Sequence, residues 1–172
     1  MNKLLAVVVL MIFSVSACSQ DVKVKVYFSN SVKDPDMHDC SVSFPVERTV
    51  PKTDSLETTA LNELFKGVTK EEEKLGFGSW PAKDTKGILK SVNLKNRIAY
   101  VNFNQVIYEQ MGNATSSCGS GYFAHIEQTL KQFDTVDKVF FAIEGNPLDF
   151  YDWIQVGECP EGLEDCDGTN FK

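Results

Sequence analysis

Residues 123–143 read FAHIEQTLKQFDTVDKVFFAI, and the two halves of this stretch follow different periods. In the first half Phe123, Ile126, Leu130 and Phe133 recur three to four positions apart, which sets them along one face of a helix. In the second, Val139 to Ile143 is nearly all apolar, the composition of a central strand buried on both faces. Between them lies the polar break Asp134 to Lys138. A helix handing over to a buried strand closes the domain, and the same two periods recur toward the N-terminus.

Val22, Val24, Val26 and Phe28 alternate with lysines and Tyr27, the pattern of a half-buried strand. A loop is expected from Asn30 to Thr53, carrying the acidic run Asp34 to Cys40 and then Phe44 to Pro51. Asp54 and Glu57 form a start resembling a capping box. Leu56, Ala60, Leu61, Leu64 and Phe65 then share a helical face, and Gly67 ends the helix. Thr69 and Glu72 repeat the start signal for a short helix ending near Gly76. Ile88–Leu94 and Arg97–Phe103 read as a hairpin around Lys95-Asn96, with Ala99, Val101 and Phe103 on one side. A polar, glycine-rich loop reaches Gly121. The order βαββαβ predicts an α+β fold like a split βαβ sandwich, a small mixed sheet with two helices on one face. Past Gly145 the chain turns acidic and irregular, so residues 147–172 are expected to form a disulfide-clipped tail outside a 22–146 domain.

At the N-terminus a single cation, Lys3, precedes an apolar run from Leu4 to Phe13. That run is about half the ~20 residues needed to span a bilayer core, and it suits the hydrophobic region of a signal peptide. Val15-Ser16-Ala17-Cys18 resembles the bacterial lipobox. The resemblance implies removal of residues 1–17 and lipidation of Cys18, with 18–21 as a tether. Two or three acyl chains hold stably, since each buried methylene contributes ~0.8 kcal/mol. Ser19 follows, and no aspartate stands there. The expected location is the outer side of the plasma membrane, or the outer membrane in a cell that has one.

The chain carries 17 Lys/Arg and 24 Asp/Glu, a net charge of −7. Loss of residues 1–17 removes only Lys3, which shifts the net charge by one further unit to about −8. This argues against nucleic acid and against docking on anionic lipid, both of which need a basic surface. With Cys18 set aside, Cys40, Cys118, Cys159 and Cys166 read as a disulfide framework of an exported chain. Sequence alone leaves the three possible connectivities open. The expected pairs are Cys159–Cys166 as a local clip and Cys40–Cys118 as a long-range staple, worth ~2.5 and ~4 kcal/mol on a chain-entropy model. Without Cys-x-x-Cys spacing, no zinc site is expected.

Phe44-Pro45-Val46-Glu47-Arg48-Thr49-Val50-Pro51, ahead of a helix carrying Ala60-Leu61-Asn62-Glu63-Leu64, resembles the GerMN domain. So do Gly67 to Glu72, Ala99 to Phe103 and, best of all, Gln128 to Val136 leading into a strand and Gly145. The similarity covers roughly residues 22–146. Val68 and Asp134 stand where members usually carry proline. The resemblance implies a sporulation- and germination-type domain of envelope lipoproteins, similar in fold to ring-building modules of secretion machines. It implies no catalytic activity or cofactor, and roles at the envelope with a protein or peptidoglycan partner.

Candidate chemistry is sparse. A Cys–His nucleophile would need a free thiol beside His38 or His125. No spacing singles out two acidic residues as an acid–base pair, which leaves an envelope hydrolase acting on the wall as the alternative to a binding module. Asp165 to Asn170 matches part of a calcium loop but lacks the later bidentate glutamate. Asp34, Asp36 and Asp39 form a second acidic cluster, expected to be solvated. Ser116 to Gly121 could receive an anion, although without a P-loop lysine its glycines more simply let the chain turn. Arg48 suggests either an ion pair ordering the long loop or contact with a partner. Trp80 reads as a loop plug, whereas Phe150, Tyr151 and Trp153 suggest an exposed partner-binding patch.

Overall fold

A computed structural model describes residues 20–79, 85, 87–112 and 117–172, with side chains of the last segment from Gly121 onward. Cys18, Trp80 and the side chain of Cys118 lie outside the described residues. The strands are β1 (Asp21–Asn30), β2 (Phe44–Pro51), β3 (Phe77–Gly78), β4 (Leu89–Lys95), β5 (Ile98–Phe103) and β6 (Lys138–Ile143). The helices are α1 (Leu56–Phe65), α2 (Lys70–Lys74), α3 (Ile107–Met111), α4 (Ser117–Leu130) and α5 (Pro147–Trp153). The expected βαββαβ order is present as β1, α1, β4, β5, α4, β6, and the remaining elements are additions to it.

The strands form two three-stranded sheets, β2-β1-β3 and β4-β5-β6, in place of one. The second is mixed, with β4–β5 antiparallel and β5–β6 parallel. Helices α1 and α4 pack on each other and on β1, and they also reach β4 and β6 respectively. The hairpin turn falls at Asn96-Arg97, both at positive φ, one residue later than expected.

Part of the expected 30–53 loop is strand β2, paired antiparallel with β1 from Asp21↔Pro51 to Phe28↔Phe44. Its burial does alternate, with Phe44, Val46, Arg48 and Val50 on the inner side, but Arg48 interrupts the apolar series and only Val50 is fully buried. Pro45 and Pro51 are tolerated because β2 lies at the sheet edge. The expected cap of α1 also differs. Ser55 is its N-cap, and Glu57 is buried with its carboxylate accepting from the Thr135 hydroxyl at 2.6 Å. The Thr69–Glu72 capping box forms as expected.

Strand β6 is buried on both faces, yet it is an edge strand beside a central β5. The tail explains this. Val139, Phe141 and Ile143 face the helices, with Phe141 stacked on Phe150 at 4.9 Å. On the opposite face Tyr100 meets Phe140 at 6.0 Å and Phe171 at 5.2 Å. Phe150 and Phe171 are 0% exposed and Leu163 5%, so the 147–172 segment sends large side chains into the core while most of its residues stay at the surface. The Asn102 amide donates to the Phe171 carbonyl, and Asn93 to those of Asn170 and Lys172. At Gly168 a Cβ would lie 2.2 Å from the Gly145 carbonyl oxygen, so only glycine lets the tail lie down here.

Candidate functional site

The 31–43 segment arches from β1 to β2 and roofs a cavity of about 230 Å³. Ser29, Asn30, Asp34, Met37, Asp39, Cys40, Val42, Tyr122 and His125 line it. The floor comes from α4. Ser117 to Gly121 is helix and not the expected loop, and a Cβ at Gly121 would lie 2.5 Å from the Cys40 carbonyl oxygen. Glycine therefore serves here to let the roof segment rest directly on the helix.

His125 is 3% exposed, and both ring nitrogens are buried without a hydrogen-bond partner. Burial holds the imidazole below its ordinary pKa, although the backbone of Cys40 and of Val42 faces it closely enough to pull the other way. The geometry decides between these, because neither nitrogen completes a bond. The ring is therefore neutral near pH 7. Its polar neighbours are already engaged. The Ser29 hydroxyl donates to the Gly78 carbonyl at 2.9 Å. The Asn30 amide donates to Leu75 and accepts from the Val32 and Lys33 amides. Burial pushes the Tyr122 phenol up, against a hydrogen bond with Thr85.

The roof carries an acidic and apolar outer face. Val32 is 72% exposed, Met37 42% and Val42 41%, while Leu75, on the turn that holds Asn30, is 65% exposed. Asp39 accepts from the Ser41 hydroxyl and amide, which hold its carboxyl below the usual range. Lys33 is turned over the rings of Phe44 and Phe77, 5.2 and 5.3 Å from their centroids.

The other candidates resolve differently. Arg48 forms a two-pronged ion pair with Glu72, its second nitrogen 2.7 Å from the carboxylate, and it also donates to the Gly67 carbonyl. Both side chains are largely buried, so Arg48 fastens β2 to α2. Burial would push Glu72 up, but the hydrogen bonds from Arg48 and Thr69 outweigh it and leave the carboxyl low. The expected patch Phe150, Tyr151 and Trp153 is not one. Phe150 and Tyr151 are core residues and Trp153 is half-buried against Tyr108. Sequence reasoning failed there because an irregular, acidic segment hid three helical residues spaced for burial.

Cys159 is bonded to Cys166, as expected, with Cα atoms 5.5 Å apart. Cys40 is disulfide-bonded. Asp167 accepts from the Thr169 amide and hydroxyl, and Asn170 from Lys95, so the calcium-like segment is used internally. Among the described residues no cluster of three or more His, Cys, Asp or Glu is placed to hold a metal ion. Nor is any helix there long and apolar enough to cross a membrane.

The architecture is that of a small α+β domain with a pocket between the 31–43 segment and α4. Residues 25–149 match the Germane family, described as sporulation and spore germination, and the chain belongs to that family. The first GerMN domain of the sporulation protein GerM from Bacillus subtilis has the same fold. It superposes with a TM-score of 0.51 at 24% identity, covering 81% of this chain and 92% of that one. The tandem GerMN domains of the same protein give 0.50 at 25% identity, over 75% of this chain and 41% of theirs. No curated protein sequence matches the chain.

Proposed function

We propose that this is a lipid-anchored envelope protein whose Germane domain binds a partner, protein or peptidoglycan, without catalysing a reaction. The observation that carries the reading is the apolar cavity bordered by exposed Met37 and Val42. Exposed apolar side chains grouped around a concavity mark interaction sites. The lipobox-like Val15 to Cys18 supplies the anchor in this reading, on the outer side of the plasma membrane or on the outer membrane.

A hydrolase would use two facing carboxylates, one of them raised so that it can donate a proton. Asp34 and Asp39 line one cavity, and the bonds from Ser41 that hold Asp39 low suit it poorly as the general acid, so the hydrolase reading would place that role on Asp34. Two measurements test the proposal. Metabolic labelling with a fatty-acid analogue should mark the protein and should vanish in Cys18→Ala; persistent labelling refutes the anchor. Turnover of purified peptidoglycan by the full chain, if observed and abolished by Asp34→Asn, would replace binding with hydrolysis.

A further inference from the structure

We infer that the cavity under the 31–43 segment receives a single aromatic side chain from a protein partner, flanked on that partner by lysine or arginine. This deepens the binding reading above and rests on it.

Size comes first. About 230 Å³ lies below the roughly 300–1,000 Å³ of sites that enclose whole small-molecule ligands. It is the scale of one aromatic side chain, too small for a glycan unit with its peptide.

Lining comes second. Met37, Val42 and the Tyr122 ring present apolar walls, while Ser29 and Asn30 spend their polar atoms on the backbone of β3, α2's end and the roof. Both ring nitrogens of His125 are buried beyond the reach of a cavity occupant, which therefore meets the rest of the ring. An occupant must be apolar over most of its surface, as an aromatic ring is. Sugar hydroxyls would lose several water contacts against these walls and regain few.

Charge comes third. Asp34 and Asp39 stand at the mouth, Lys33 is engaged over Phe44 and Phe77, and the chain as a whole carries −7. That complements cationic neighbours of the inserted ring, and it opposes the carboxylate-bearing stems of the wall polymer.

The protein has only two histidines, and His38 is exposed on the roof. Its ring is therefore a built-in control. The full chain, labelled with ¹⁵N-histidine and purified in detergent, is titrated with the amidated, acetylated tripeptide Lys-Tyr-Lys. The expected result is a saturable shift of the His125 ring resonances, absent with Lys-Ala-Lys and with Glu-Tyr-Glu. Asp39→Asn, which keeps the bond to Ser41 while removing charge, should weaken the response about twofold to fivefold. No His125 response to Lys-Tyr-Lys, or an equal response to Lys-Ala-Lys, overturns the inference. A His125 response to soluble wall fragments and not to the tripeptide also overturns it, while leaving an envelope-binding function standing.

Discussion

At the scale of single residues, His125 gives the structure a pH dependence whose sign can be worked out. Burial holds its folded-state pKa below the ordinary 6.5. As pH falls through about 6.5 the unfolded chain takes up a proton that the folded chain resists, so stability rises with pH in that window and is lost below it. Denaturant midpoints at pH 7.5 and 5.5 should therefore differ more for the natural protein than for His125→Leu; equal slopes would mean that the ring is not buried as described. Arg48 makes a separate case. Removing one partner of a largely buried, two-pronged pair strands the other, so Arg48→Ala should cost about 2–4 kcal/mol in urea unfolding. Arg48→Lys should fall between, because an ammonium keeps the charge and loses the fork. The Thr69–Glu72 capping box was legible in sequence because both ends lie within one turn. The Arg48–Glu72 pair was not, since 24 residues separate the partners and Glu47 stood next door.

At the scale of elements, side chains cap unpaired stretches of β1 and β6. Strand β1 pairs with β2 along one side, but only Ser29 and Asn30 pair with β3 on the other. There Gln132 accepts from the Lys25 amide at 2.7 Å and donates to the Lys25 carbonyl at 2.6 Å, and Thr129 accepts from the Tyr27 amide at 3.2 Å. An edge left bare invites pairing with another chain. These are residues of the Gln128 to Val136 stretch that carried the strongest family resemblance, and their task is to cap a strand a hundred residues away. On β6 the Phe141 amide donates to the Tyr151 phenol, which burial pushes up to about 12. Thr129→Val preserves shape but leaves the Tyr27 amide unpaired, at a cost of about 1–3 kcal/mol. Hydrogen exchange should show faster loss of protection at Tyr27 in that variant, and at Lys25 in Gln132→Ala, while β5 amides stay slow. Helical periodicity exposed α1 and α4 in the sequence, and alternation exposed β1. Strand β2 escaped because two prolines and the inward-facing Arg48 interrupt the alternation of Phe44, Val46 and Val50.

At the scale of the whole molecule, the C-terminal segment is structural. Phe150, Leu163 and Phe171 complete a core that the βαββαβ elements leave open, so truncation after Asn146 should prevent folding, and Phe171→Ala should cost about 3–5 kcal/mol. The acidic composition of this segment concealed its few large apolar residues, each placed by contacts that only the fold brings together. The same holds for the cavity. Met37, Cys40 and Val42 are far in sequence from His125, and they meet it because Gly121 lets the roof rest on α4. The central claim is that this roofed face, on a chain held at the envelope, engages a partner. A photoreactive amino acid at Val42, exposed beside the cavity, tests it on intact cells against the same probe at Leu94, exposed on the other sheet. A discrete adduct is expected from position 42, absent from position 94 and lost in Asp39→Asn, His125→Leu double variants that remain folded. No adduct from position 42, or the same adducts from both positions, would contradict it.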